Sequence, residues 1–148
     1  MRIEKYNLKA EKELTRFEFI SEGPKGAVRK LIEFQATTMR GIFNLAFGDK
    51  DSRTGEIDDL AVSANGDTEK ILATVVSAVY AFFDKHPEAF VYASGSTRSR
   101  TRLYRMGITK FYDDMKEDFY LYGQIGDNFT EFEIGVEYDG FLAQRKFD

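Results

Sequence analysis

Four arginines fall within eight positions, at Arg98, Arg100, Arg102 and Arg105, directly after Ser94-Gly95-Ser96-Thr97. Ser and Thr before a helix accept orphan backbone N–H groups, and a small-residue turn into a helix is a ready anion site because free N–H groups and the macrodipole point the same way. Spacing of i, i+4, i+7 places Arg98, Arg102 and Arg105 on one helix face and Arg100 on another. Cations in a first helical turn oppose the dipole by about 0.3–1 kcal/mol each, so helix stability alone does not call for them. Ser96, Thr97, Arg98, Arg102 and Arg105 are therefore the candidate ligand-binding residues, suited to a phosphate or carboxylate group. The competing expectation is that these arginines pair with Asp113, Asp114, Glu117 and Asp118, as surface ion pairs that contribute little.

Other reactive groups are sparse. His86 is the single histidine, and it precedes Pro87 at the end of a helical pattern, where a capping or solvated role is usual. Asp58 and Asp59 adjoin, but neighbours on a strand point to opposite faces and do not act as a pair. Asp49 and Asp51 alternate in the polar loop Gly48–Gly55, yet the remaining calcium-ligand positions do not fit, and no metal site is expected. The absence of cysteine excludes disulfides, thiolate catalysis and thiolate-bound metal.

The 148 residues carry a net charge of −4, which disfavours a broadly basic nucleic-acid surface but leaves room for a local phosphate contact. Fourteen Phe and eight Tyr without Trp predict an aromatic core. No apolar run approaches the roughly 20 residues of a membrane span, and the mixed-charge N-terminus does not read as a signal peptide. The expectation is one cytoplasmic domain without a membrane partner.

The elements that must position the arginines read as follows. Alternating apolar residues predict strands over 15–21, 28–36, 42–47 and 56–64, with Lys30 interrupting the apolar face of the second. A helix is predicted from about Asp67 to Lys85, with Asp67 or Thr68 as cap and Leu72, Val75, Val79 and Phe83 among its core stripe. A short strand around Val91 leads into the arginine helix, whose apolar stripe is Tyr104, Ile108, Phe111 and Met115 if it runs through Gly107. Strands follow at 119–124, at 131–137 with Phe132, Ile134 and Val136 inward, and at 141–147. This order predicts an α+β fold: a mainly antiparallel sheet of six to eight strands, two principal helices, and a locally parallel strand–helix–strand unit near residues 88–123.

The element order, with Arg102-Leu103-Tyr104-Arg105-Met106-Gly107-Ile108, resembles the second half of the GNAT acyltransferase fold. That resemblance implies a coenzyme A donor and Tyr104 as the acid that protonates the departing thiolate. The stretch corresponding to the family's pyrophosphate loop, Val62–Asp67, has one of its glycines, and Asp67 would repel a pyrophosphate. The whole chain, including Gly95 to Tyr104, also resembles small uncharacterised bacterial proteins, which implies no activity. The leading functional expectation is a binding module for a nucleotide, a nucleic-acid backbone or an acidic protein partner, needing no cofactor. A coenzyme A-dependent acyltransferase is the alternative, and an interaction subunit with a patch of Tyr112, Tyr120, Tyr122 and Tyr138 is a further one.

Overall fold

The structure, a computed structural model, describes residues 4–58, 65–95 and 97–147. In chain order the strands and helices are β1 (Lys9–Ala10), β2 (Arg16–Gly23), β3 (Gly26–Ala36), β4 (Ile42–Lys50), β5 (Ile57–Asp58), α1 (Thr68–Lys85), β6 (Phe90–Ala93), α2 (Arg98–Lys110), α3 (Tyr112–Asp118), β7 (Phe119–Ile125), β8 (Asn128–Glu131) and β9 (Gly140–Arg145). The fold is α+β, with a mainly antiparallel sheet in the order β1-β2-β3-β4-β6-β9-β7-β8 and β5 added on β4.

Strand alternation decides which face meets the helices. Phe17 and Phe19 of β2, Ile32 and Phe34 of β3, and Leu45 and Phe47 of β4 point to one side and form one core with α1. Leu72, Val75, Val79 and Phe83 of α1 are all buried, as the stripe predicts, and so are Ile71 just before them and Ala73, Thr74 and Ala78 between them. Phe82 stacks on Phe34 with ring centroids 4.3 Å apart. Fully burying such a side chain stabilises by about 1.5–3 kcal/mol, so α1 is the element around which the sheet closes. Lys30 does not leave the apolar face that it interrupts. It is 0 % exposed, lies directly across from Asp49 in the β3–β4 register, and donates to the Asp49 carboxylate at 2.5 Å.

β4 and β6 form the parallel ladder, pairing Ile42, Phe43 and Asn44 with Phe90, Val91 and Tyr92, and α1 is the crossover between them. The unit expected near residues 88–123 is thus reorganised. β6 and β7 run the same way, but β9 inserts between them and pairs antiparallel with both. The final strand thus lies inside the sheet rather than at its edge, with Phe141 3 % exposed.

Three element ends follow from the structure, and one of them, the strand expected at 131–137, is corrected. The arginine helix stops at Lys110 and restarts as α3, although Phe111 and Met115 are buried as the stripe requires. The strand expected at 131–137 ends at Glu131. Phe132 is buried, but Ile134 is 56 % exposed because the chain turns away at Gly135, whose φ of +90° suits glycine. Of the strand expected over 56–64, Ile57 and Asp58 pair with β4, and residues 59–64, including Leu60 and Val62, lie outside the described residues.

Candidate functional site

The turn from β6 into α2 is tightly built. A Cβ on Gly95 would stand 2.3 Å from the Arg100 Cβ and 2.5 Å from the Thr101 nitrogen, so only glycine lets the turn press against the first helical turn. The Gly95 N–H donates to Thr101 Oγ1 at 3.0 Å, and Thr101 Oγ1 donates to the Thr97 carbonyl at 3.1 Å. Thr97 has extended backbone and its hydroxyl accepts the Arg100 N–H at 3.3 Å, making it the N-cap among the Ser and Thr residues that the sequence offers there. That bond commits one acceptor of Thr97 to the helix itself. Ser96 lies outside the described residues.

Arg98 and Arg102 are exposed and Arg105 is half-buried on the outer face of α2. Among the described residues none of the three forms an ion pair or a side-chain hydrogen bond. Two of the four carboxylates expected to pair with them have other partners: Asp118 accepts the Tyr80 hydroxyl at 2.6 Å, and Asp113 faces Lys116 of its own helix at 3.7 Å. The first turn of α2 contains no acidic residue. Three cations therefore share a helix face without a carboxylate to offset them among the described residues.

The inner face of α2 is different, and it holds residues that the arginine spacing does not single out. β4 and β6 part company beyond Asn44 and Tyr92, and Tyr104 reaches into the gap. Its hydroxyl lies 3.5 Å from the Leu45 carbonyl and also meets the Phe47 backbone, so it stands in for the missing neighbour strand. Burial pushes the Tyr104 hydroxyl up to about 12, against smaller opposing effects from Arg100 and the Phe47 backbone. Over this gap opens a cleft of about 320 Å³, with Arg100, Ser94 and Tyr104 on one side and Glu33 and Glu56 on the other. Arg16 reaches both carboxylates, at 3.3 Å to Glu33 and 3.6 Å to Glu56, and donates to the Gly55 carbonyl. Burial raises the Glu33 carboxyl above its ordinary range; Arg16 lowers it and Glu56 raises it further.

The sequence offers no local signal for this cleft. Glu33 and Arg16 meet because β2 and β3 pair at that register, and Glu56 arrives by a turn that folds back over the same face. Arg100 is assigned to another face by spacing, which is correct, but the other face is the one that closes the cleft.

The N-terminus of α1 is closed from within. Asp67 sits at the cap position, but its carboxylate makes no bond to the helix and instead accepts the hydroxyls of Tyr6 and Ser21, each at 2.5 Å. Asn65, 2 % exposed, accepts the Lys25 N–H and donates to the Gly26 carbonyl, plugging the segment before α1 into the β2–β3 hairpin. His86 ends the same helix. Its ring stacks on Phe82, and Nε2 lies 2.8 Å from the Glu13 carbonyl, a structural setting. Of the four tyrosines considered as an exposed patch, Tyr138 is buried at 8 %, Tyr112 and Tyr122 are half-buried and Tyr120 is exposed.

The fold thus defines an α+β protein with one parallel strand pair, an arginine-faced helix beside the point where that pair diverges, and a polar cleft at the divergence. The chain belongs to DUF6934, a family of unknown function, whose match extends over residues 2–146. No curated protein and no solved structure matches the chain. Among the described residues no helix is long and apolar enough to cross a membrane.

Proposed function

We propose that this protein is a binding module that holds an anionic group at the first turn of α2, the group being the phosphate of a nucleotide or nucleic-acid backbone or an acidic segment of a protein partner. One observation carries the reading: Arg98, Arg102 and Arg105 stand together on one face of α2, with Arg98 in the first turn where the dipole disfavours a cation, and no carboxylate offsets them among the described residues. An arriving anion meets the exposed arginines and the free N–H groups of the first turn together. The test is a thermal-shift and titration series with pyrophosphate, ATP and a short oligonucleotide. A ligand at 100 times its Kd stabilises by about 2.7 kcal/mol. Arg98→Ala with Arg102→Ala is expected to abolish the response while the unliganded melting temperature stays put, as for surface positions within about 0.5 kcal/mol. A response that survives the double substitution would overturn the reading.

A coenzyme A-dependent acyltransferase is the second reading. It is favoured by the parallel β4/β6 pair that α1 connects and by Tyr104 in the gap between them. It is disfavoured by Asp67, whose carboxylate occupies the start of α1 with Tyr6 and Ser21 around it, where a pyrophosphate would need bare N–H groups. Half of the corresponding loop, residues 62–64, lies outside the described residues. Thiol release from acetyl-coenzyme A with an amine acceptor, lost in Tyr104→Phe, would establish this reading; none is expected.

A further inference from the structure

In the half of the sheet formed by β6, β9, β7 and β8, the register puts Val91, Ala143 and Leu121 in line on the face that packs into the core. Their strand neighbours point the other way. Tyr92, Leu142, Tyr122 and Glu131 line up across the four strands on that second face. Phe90, Gln144 and Tyr120 form the row on one side of them, and Gln124 and Phe129 stand in the row on the other. Among the described residues no helix buries this face: Tyr120 is 47 % and Phe129 45 % exposed, and Tyr92 and Tyr122 are half-buried. Glu131 is the only charged residue in the three rows, in a chain that is 31 % charged. Depletion of charge together with exposed aromatic side chains marks the core of a protein–protein contact rather than ordinary surface.

The charges at the margin of the face point to its occupant. Tyr120 pairs with Gln144 of β9, and Lys146 follows two residues on, its Nζ 5.2 Å from the Tyr120 ring centre. Lys146 Nζ donates to the Lys116 carbonyl at 2.6 Å, and an ammonium has further N–H donors to offer. On the opposite side Tyr122, two residues from Tyr120, pairs with Glu131 of β8. Because β9 and β8 both run antiparallel to β7, Lys146 and Glu131 lie one strand to either side of Tyr120 and two residues away in opposite directions. We propose that this face holds a second copy of the chain, packed face to face about a two-fold axis. The axis passes Tyr120 in the plane between the two sheets, perpendicular to the line from Lys146 to Glu131. It carries Lys146 of each copy to Glu131 of its partner, as the self-complementarity of a two-fold contact requires. The aromatic rows then close on each other between two ion pairs. A single nucleic-acid strand also stacks on aromatic rings, but it needs a cationic track beside them, and here one lysine is matched by one glutamate. The surface is separate from the arginine face of α2 and does not depend on the anion reading.

The experiment is analytical ultracentrifugation of the full chain over about 1–200 µM, the range in which a contact of modest size shows itself. The mass is expected to rise with concentration from 17.0 kDa to twice that value. Tyr120→Glu, at an exposed position and with its fold checked by circular dichroism, is expected to leave a monomer throughout. Lys146→Glu and Glu131→Lys are each expected to weaken the dimer at least about tenfold, through like charges brought together twice. The two reversals combined are expected to restore it, which general stickiness of an aromatic surface would not do. Arg98→Ala with Arg102→Ala should leave the dimer unchanged. A monomer at every concentration, a dimer indifferent to Tyr120→Glu, or a double reversal no tighter than either single one would overturn the proposal. A monomer that binds single-stranded oligothymidylate through Tyr120 would overturn it in favour of a nucleic-acid platform.

Discussion

The two long helices begin in opposite ways. At the start of α1 the protein supplies its own anion: the Asp67 carboxylate, held by the Tyr6 and Ser21 hydroxyls. At the start of α2 a neutral threonine caps the backbone and the next residues are cations with no acid in the first turn. Both termini present the same positive dipole end. The difference shows that a helix start can carry a carboxylate held by hydroxyls from the core, or present exposed cations at the surface. α1 is buried on most sides, whereas Gly107 is the buried residue of α2. Gly107 faces α1, where a Cβ would make an ordinary contact with Leu72 at 3.4 Å.

The strongest way to break this contrast is a buried charge in α1. Val79→Asp is expected to unfold the domain, since an unpaired buried charge costs more than the roughly 5–15 kcal/mol of a whole domain's stability. Arg102→Asp on the outer face of α2 should change stability by no more than about 0.5 kcal/mol. Circular dichroism melting reads both, and a folded Val79→Asp protein would mean that α1 is not the central element.

A smaller effect is expected at the start of α1. Asp67→Ala takes the acceptor from the Ser21 hydroxyl and leaves Tyr6 the Glu22 carbonyl, in a largely buried place, at about 1–3 kcal/mol, the cost of an unsatisfied polar group. Urea denaturation should show the loss. If the substitution instead uncovers phosphate binding at α1, the internal carboxylate is what excludes anions there, which sharpens the comparison.

Smaller again is Thr97→Ala, which removes the cap of α2. About 1 kcal/mol is expected from denaturant midpoints, with Thr97→Ser recovering most of it. A loss of several kcal/mol would mean that the β6–α2 turn is as integral to the core as α1.

The smallest effect concerns the cleft behind α2. The Glu33 carboxyl is raised in the folded protein, chiefly by burial, so the folded state holds its proton more tightly than the unfolded chain does. Its stabilising share is present below the ordinary carboxylate range and is lost as pH rises through the raised value. Glu33→Gln should therefore match the wild type in acid and melt slightly higher at neutral pH. A Glu33→Gln protein that is less stable at neutral pH than in acid, relative to wild type, would show that Arg16 dominates the site instead.

What the sequence determined by itself was the local physics. Phe17 and Phe19 alternate with polar neighbours and lie in the core; Leu72, Val75, Val79 and Phe83 follow the helical period and do the same; Thr97 precedes four cations and caps their helix. The exposed face of Arg98 and Arg102 also followed from spacing alone, because a helix fixes relative direction within two turns. Tertiary structure decided what lies far apart in the chain. It placed β9 between β6 and β7, found Lys30 a buried partner in Asp49, and drew Arg16, Glu33 and Glu56 around one cleft. It also turned Asp67 from a helix cap into an acceptor for Tyr6 and Ser21. Periodicity reports which side of an element is apolar, but strand register and chain return set which polar groups meet, and those depend on contacts between residues tens of positions apart.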